Sequence, residues 1–481
     1  MQLVRLVLSG LFLMVLAFAI SQGLTRVRFE FALGVAFVIA VFIFVFIRTD
    51  AGLYLVLFSM LLSPEFAVGG GGLAESRTVV LRLEDLLLIA IAFSWFAKMA
   101  VNKEMGLVVK TPLNRWILLY GLTTLVATLV GYLAGTVKTT AGFFYVLKYV
   151  EYFVVYYLTI NNLRDRAHAW RLVGVAFVTA AVVSLIGMAQ IPSGQRVSAP
   201  FEGEVGEPNT LGGYLLFMMA IGAGVALESS HFTVRARMAA LVGLMMVPFL
   251  FTLSRASYVG LIPMIAALAF LSTRRKFMMG VLALAILAAP LALPSVLPKS
   301  VVKRILYTFE PEQGQATVRL GPIAFDPSTS ERVIAFRNAL EGWAKRPILG
   351  YGVTGFRFMD AQYARALVET GFVGLFAFCA LLWMLLKSGL GSFRSLRDGD
   401  ERGLALGFVA GTVGLLFHAI GSNTFIIVRI MEPFWFFAGV VMALPTLSSE
   451  GGSAPLPIPP PGIAAAKPPL DMPRLRVPGP V

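Results

Sequence analysis

Cysteine, histidine and acidic residues are all scarce in this chain, and each scarcity removes a class of chemistry. Among 481 residues there is one cysteine, Cys379, and it lies inside an apolar run. A lone thiol forms no internal disulfide and no cysteine-based metal cluster. The three histidines, His168, His231 and His418, are far apart in the sequence. The first two are expected inside the cell and the third near an outer helix end. A histidine metal site or a Ser-His-Asp triad therefore finds no support, and no metal or other cofactor is expected. His418 is left as a residue that could stand behind a site on the outer side. The period-2 alternation that builds a membrane β-barrel is missing as well.

What is abundant is apolar surface. Hydrophobic residues make up 58% of the chain, charged residues 14%, and the mean hydropathy is +0.81. These values exclude a soluble globule and describe an all-α, polytopic membrane protein. The net charge of +14 does not imply a nucleic-acid partner. Many Lys and Arg sit in short loops between apolar runs, which is how the positive-inside bias reads.

About fourteen spans (12–14) of roughly 17–22 residues are expected. They fall near 3–20, 30–47, 51–67, 83–101, 115–134, 141–160, 170–190, 210–227, 237–253, 257–272, 277–293, 366–387, 404–420 and 430–447. The first reads as an uncleaved span rather than a secretory signal. Basic loops at 98–115, 161–171, 234–237, 273–276 and 393–402 all fall on one side of this arrangement, which is then the cytoplasmic side. Both termini are expected inside. Residues 191–209 and 294–365, with the turns near Ser254–Ser257 and Gly421–Arg429, are expected outside. "TRVR" (25–28), Arg77 and Arg82 are the basic residues that this arrangement places outside.

The spans form one transmembrane domain, 1–447. The stretch 448–481 is rich in proline and poor in aromatics, and it reads as a disordered cytoplasmic tail. The exterior segment 294–365 is too polar to span. Ser328-Thr329-Ser330-Glu331 has the form of a capping box. Val333, Phe336, Leu340 and Trp343 then share one face, and Pro347 and Gly350 end the pattern. An amphipathic helix on the outer membrane surface fits.

Four exterior segments concentrate polarity. In "GQRVSAPFEGEVGEPNTLGGYL" (194–215), Arg196, Glu202, Glu204, Glu207 and Asn209 precede a span. A solvated turn with Asn209 as helix cap is the plain alternative. In "FTLSRASYVG" (251–260), Arg255 stands between apolar runs, where an arginine is costly unless it faces a polar cavity or pairs with an anion. Snorkelling to outer headgroups is its alternative. In "SERVIAFRNALEGWAKRPILGYG" (330–352), Arg332 falls near the positive end of the helix. Arg337 and Glu341 make an i,i+4 pair, and Gly350 and Gly352 read as a turn. In "DAQYARALVETGFVGLFAF" (360–378), Gln362, Arg365 and Glu369 share a face of an expected helix. Asp360 lies about 180° away, so on a continuous helix the two acids cannot enter one site. Glu369 can pair with Arg365, while Asp360 is the freer carboxylate. "DGD" (398–400) mimics a metal-binding DxD, but it sits in a short cytoplasmic loop.

Taken in order with "LRLEDLL" (81–87) and "LKYVEYF" (147–153), these segments resemble the O-antigen ligase and O-antigen or exopolysaccharide polymerase family. The likeness covers most of 80–440. It implies a membrane-embedded glycosyltransferase of the bacterial cytoplasmic membrane with its site facing outward. Such enzymes take a glycan from an undecaprenyl diphosphate carrier, without nucleotide sugar or metal. By motif, the two arginines that hold the diphosphate match Arg255 and Arg332. The position of the ligase histidine is matched by Asp360. A carboxylate can accept the proton of an acceptor hydroxyl in the same way. The expectation is thus a repeat-unit polymerase with Arg255, Arg332 and Asp360 as catalytic residues. Arg196, Glu207, Asn209, Gln362, Tyr363 and Glu369 are the expected substrate contacts. Donor and acceptor would both be carrier-linked, membrane lipids would surround the chain, and a chain-length regulator and a flippase would be partners. A ligase acting on lipid A-core or protein is the alternative. A transporter for an anionic lipid-linked substrate is the rival of another class, and it should show broken helices and ionisable residues near mid-bilayer.

Overall fold

The computed structural model describes residues 39–46, 48–63, 65–67, 80–101, 109–138, 141–201, 206–274, 276, 279–280, 298–309, 318–320 and 323–447. The expected span 3–20, most of 30–47 and of 277–293, Glu202, Glu204 and the tail lie outside the described residues.

The other eleven expected spans each meet a helix. These are α1 (Thr49–Leu62), α2 (Leu83–Val101), α3 (Asn114–Leu133), α4 (Ala141–Asn162), α5 (Arg166–Gln190), α6 (Pro208–Glu228), α7 (Phe232–Phe251) and α8 (Arg255–Leu271), followed by α11 (Gln362–Ser395), α12 (Gly399–His418) and α13 (Val428–Ala443). Between α8 and α11 lie α9 (Lys299–Leu306) and α10 (Pro327–Lys345). Among the described residues, seven helices are long and apolar enough to cross a membrane, and two further apolar helices are shorter. Two short antiparallel ladders interrupt the helical pattern: Glu65–Ala67 with Val80–Arg82, and Arg319–Leu320 with Ile323–Ala324.

Helix starts follow local chemistry. Asp165 caps α5 by accepting from the His168 amide at 2.6 Å. Asp398 caps α12 through the Asp400 and Glu401 amides, which gives "DGD" a structural role. The start of α10 differs from expectation. Its cap is Asp326, which accepts from the Thr329 amide, and Pro327 opens the helix. A Pro with its fixed φ suits that first position, so the helix begins upstream of the Ser328 box. Arg332 consequently falls in the second turn.

At the centre, α6 is buried along almost its whole length and packs on α12, α8 and α7. Small residues permit the contact: Gly224 faces backbone of Gly403 and Gly407, and Gly260 faces Gly414. Close backbone approach of this kind is how helices associate in lipid. Around this core, α13 packs on α4, α11 on α3 and α12, and α10 on α11. A buried ionic cluster ties α2 to α4, with Lys148 2.6 Å from Asp85 and 3.0 Å from Glu151. At the start of α13, Arg429 donates to the carbonyls of Pro200 and Ser63.

The expected continuous helix over 366–387 is broken. Gly371 has φ 65° and ψ −168° inside α11. Its neighbours Phe372 and Val373 donate to the carbonyls of Pro347 and Ile348 instead. Tyr363 and Phe378 flank the break symmetrically, and their ring centroids are 6.3 Å apart. Fifteen residues of unbroken helix would separate them by roughly 22 Å. The limb 362–370 therefore turns back against 372–395. The remaining 24 residues, roughly 36 Å, still suffice to span.

Candidate functional site

The site is organised by the turn between α7 and α8. Leu253 adopts a left-handed conformation, φ 50°. Ser254 caps α8 through the Ser257 amide and donates to Asn209 Oδ1 at 2.8 Å. Asn209 thus joins two helix starts rather than capping α6, whose cap position is the exposed Glu207. The carbonyls of this turn gather arginines. Arg196 donates from Nε to Thr252 O at 3.0 Å and from Nη2 to Leu253 O at 3.2 Å. Arg304, on α9, reaches Leu253 O at 3.4 Å.

Arg255 opens α8 directly beside them. It does not snorkel. It grips Asp326 through both Nη atoms, at 2.7 and 2.8 Å, and also donates to Thr308 at 3.1 Å. One carboxylate therefore caps α10 and neutralises Arg255. Burial works against the ionised Asp326. The hydrogen bonds from Arg255 and Thr329 and the Arg255 charge nevertheless hold it below the usual aspartate range.

From α10, Arg332 donates to Ser328 Oγ at 2.9 Å and to Asp360 Oδ2 at 3.3 Å, while its Nε is buried without a partner. It packs over Gly421, which also faces Ala256, the residue after Arg255. The four arginines share one field. Burial pushes the Arg196 guanidinium down to about 10, and the charges of Arg304, Arg255 and Arg332 act in the same direction. Arg304 is lowered too, by burial and then by Arg255, with Arg332 adding to the effect.

Asp360 lies ahead of α11. Its Oδ1 accepts from the Asn423 amide at 3.2 Å, and the Asn423 side chain donates to Met359 O at 2.9 Å. Behind this turn, the fully buried His418 meets Thr424 Oγ1 through Nδ1 at 2.6 Å. The Asp360 side chain remains 36% exposed, so a substrate can reach it.

Three expected contacts are placed elsewhere. Gln362 is buried, and its Oε1 accepts from the Phe425 amide at 3.0 Å. Tyr363 donates to Leu416 O at 2.6 Å and faces an apolar groove shared with Cys379, Leu382 and Trp383. Glu369 is buried with Arg365 at 3.0 Å, and its other oxygen accepts from the Thr354 amide. Those oxygens are all engaged by protein groups. In the other direction, Arg304 shares a carbonyl with Arg196, Asp326 pairs with Arg255, Asn423 meets Asp360 and Thr424 meets His418, and the sequence analysis singles out none of the four. Only the Asp-Pro pair at 326–327 carried a local signal, that of a helix start. Among the described residues, no group of three or more His, Cys, Asp or Glu is arranged to hold a metal ion.

Residues 239–379 match a family model described as O-antigen ligase. The match runs from α7 into α11 and contains Arg255, Arg304, Asp326, Arg332 and Asp360, which supports the family resemblance. No curated protein matches the chain.

Proposed function

We propose that this chain is an integral-membrane glycosyltransferase that polymerises polyprenyl-diphosphate-linked repeat units at the outer face of the cytoplasmic membrane. The observation that carries this reading is the gathering of Arg196, Arg255 and Arg304 at the α7–α8 turn, with Arg332 close enough to share their field and paired with a reachable carboxylate. Four guanidinium groups against Asp326 and Asp360 leave two uncompensated positive charges, which suits a diphosphate.

In the reaction, an acceptor hydroxyl oxygen attacks the anomeric carbon of the donor. The bond from that carbon to the phosphate oxygen breaks, and its electron pair leaves with the diphosphate. The hydroxyl proton passes to Asp360. The arginines neutralise charge that grows on the departing group, an effect strongest in the transition state. Arg332 touches Asp360 itself at 3.3 Å, so it also holds the base in place. Asp360 stands where the resemblance places a ligase histidine, and this departure favours the polymerase. The description of the matching model favours the second reading, a ligase.

Full-length protein reconstituted with carrier-linked repeat units separates these readings. A ladder of lengthened glycan on the carrier means polymerase. Transfer only to added lipid A-core means ligase, and movement of substrate across the bilayer without any transfer means a transporter. Asp360→Asn is expected to lower transfer about 10²–10⁴-fold with donor binding kept, the usual cost of a missing base. Asn and Asp cap helices about equally, so near wild-type turnover in that variant removes Asp360 from the mechanism.

A further inference from the structure

The segment between α10 and Asp360 contains no acidic residue from Lys345 to Arg357. It carries a continuous ladder of cations and rings. The Arg346 guanidinium lies over the Tyr351 ring at 5.0 Å. Tyr351 and Phe356 are 5.1 Å apart between centroids. Arg357 lies over Phe356 at 5.9 Å. Among the described residues neither arginine is in an ion pair, and Arg357 is exposed.

The backbone beneath this ladder is held with unusual thoroughness. Thr354 has a positive φ of 65°, just after Gly350 and Gly352, which also have positive φ. A non-glycine residue there is strained and persists only where surroundings over-determine it. They do so here. The Tyr351 and Gly352 amides donate to the carbonyls of Val368 and Glu369. The Val353 amide donates to Thr128 Oγ1, Thr136 Oγ1 donates to Tyr351 O, and the Thr354 amide is held by Glu369, which is locked by Arg365. The buried Arg365–Glu369 pair therefore serves as the anchor of this loop. Tyr351 and Phe356 also pack on the small cluster containing Met359 and Ala361, so the ladder is rigidly continuous with the backbone that carries Asp360.

We propose that Arg346, Tyr351, Phe356 and Arg357 form a platform for an acidic glycan, a chain of carboxylate-bearing sugars leading to Asp360. This rests on the glycosyl-transfer reading and names its substrate class. The arginine forks match carboxylates in two-point geometry, and arginine stacked on a ring presents that fork pre-organised. Phospholipid headgroups are the other anions near a membrane face. A mobile belt of basic and aromatic side chains would serve them, whereas a strained and anchored loop aligned with Asp360 suits one extended chain.

The test measures binding, not turnover. Full-length protein in phosphatidylcholine nanodiscs is titrated with a short oligogalacturonate and with the same oligomer after its carboxyl groups are reduced to alcohols. The acidic oligomer is expected to bind at least about tenfold more tightly. The double variant R346M/R357M should lose that advantage while its thermal unfolding is unchanged. The double variant R346K/R357K, which keeps charge but not the fork, should lose part of it. Equal affinity for both oligomers, or an unchanged R346M/R357M double variant, overturns the proposal. So does loss of oligomer binding when phosphatidylglycerol replaces phosphatidylcholine, which assigns the surface to headgroups. A protein that transfers glycan yet ignores the carboxylates keeps the proposed function and sinks the platform. A protein that binds the acidic oligomer without transferring does the reverse.

Discussion

Arg255 stands at a lipid boundary where an unpaired guanidinium would cost several kcal/mol, and the fold resolves that cost with a tethered carboxylate 71 positions away. The consequence is testable at this one side chain. Arg255→Lys keeps the charge but loses the planar fork, so transfer should fall on the order of a hundredfold, as when one transition-state donor is removed. Steady-state turnover in reconstituted vesicles measures it, and an unchanged rate removes Arg255 from the diphosphate site. Residues of this kind were legible beforehand because apolar surroundings make a lone arginine conspicuous. Arg255 stands out in this way, Arg332 by its place near the positive end of its helix, and Arg196 by its place before a span on the outer side. Arg304 does not stand out, because a basic residue on a short polar helix is unremarkable until its neighbours are known. Asp326 and Asn423 escaped for the same reason: each is an ordinary turn residue whose partner lies far along the chain. Glu369 is expected as a substrate contact, and its pairing with Arg365 is visible in the sequence. Nothing in the sequence said that the pair would be buried and enlisted to hold Thr354.

At the scale of elements, apolar run length placed eleven helices well, because the cost of unpaired backbone in lipid leaves few alternatives to a helix. It could not place the reversal in α11. The expected span 366–387 hides a break at Gly371, where a crossing loop accepts the amides of Phe372 and Val373. Gly371 is where this becomes decisive. A side chain there would meet the Ile348 carbonyl, and φ 65° with ψ −168° lies in a region almost reserved for glycine, which costs an L-residue on the order of 1–3 kcal/mol. Gly371→Ala should therefore destabilise the protein by more than about 2 kcal/mol and misplace Asp360. Thermal unfolding in detergent reads the first effect and transfer activity the second. An alanine variant with wild-type melting and activity would mean that α11 tolerates a straighter path.

For the whole molecule, sidedness is the property on which the site's access to substrate depends. From the basic-loop alternation, α10 is expected outside and the α11–α12 connection inside. Reporter fusions after Lys345 and Gly399 should accordingly report opposite compartments, and matching signals would remove the outward-facing site. The order in which this site is assembled follows from one contact. Asp360 is oriented by the amide of Asn423, which lies between α12 and α13. During synthesis the arginines at 196, 255, 304 and 332 all leave the ribosome before that residue. On the proposed reading, a nascent chain would carry an attraction for diphosphates well before it could aim its base. Premature chemistry would then be avoided, because the final helices must insert before the hydrogen bond from Asn423 to Asp360 can form. A chain truncated before Asn423 would still hold the basic cluster, so it would act as a sink for lipid-linked diphosphate rather than as a slower enzyme.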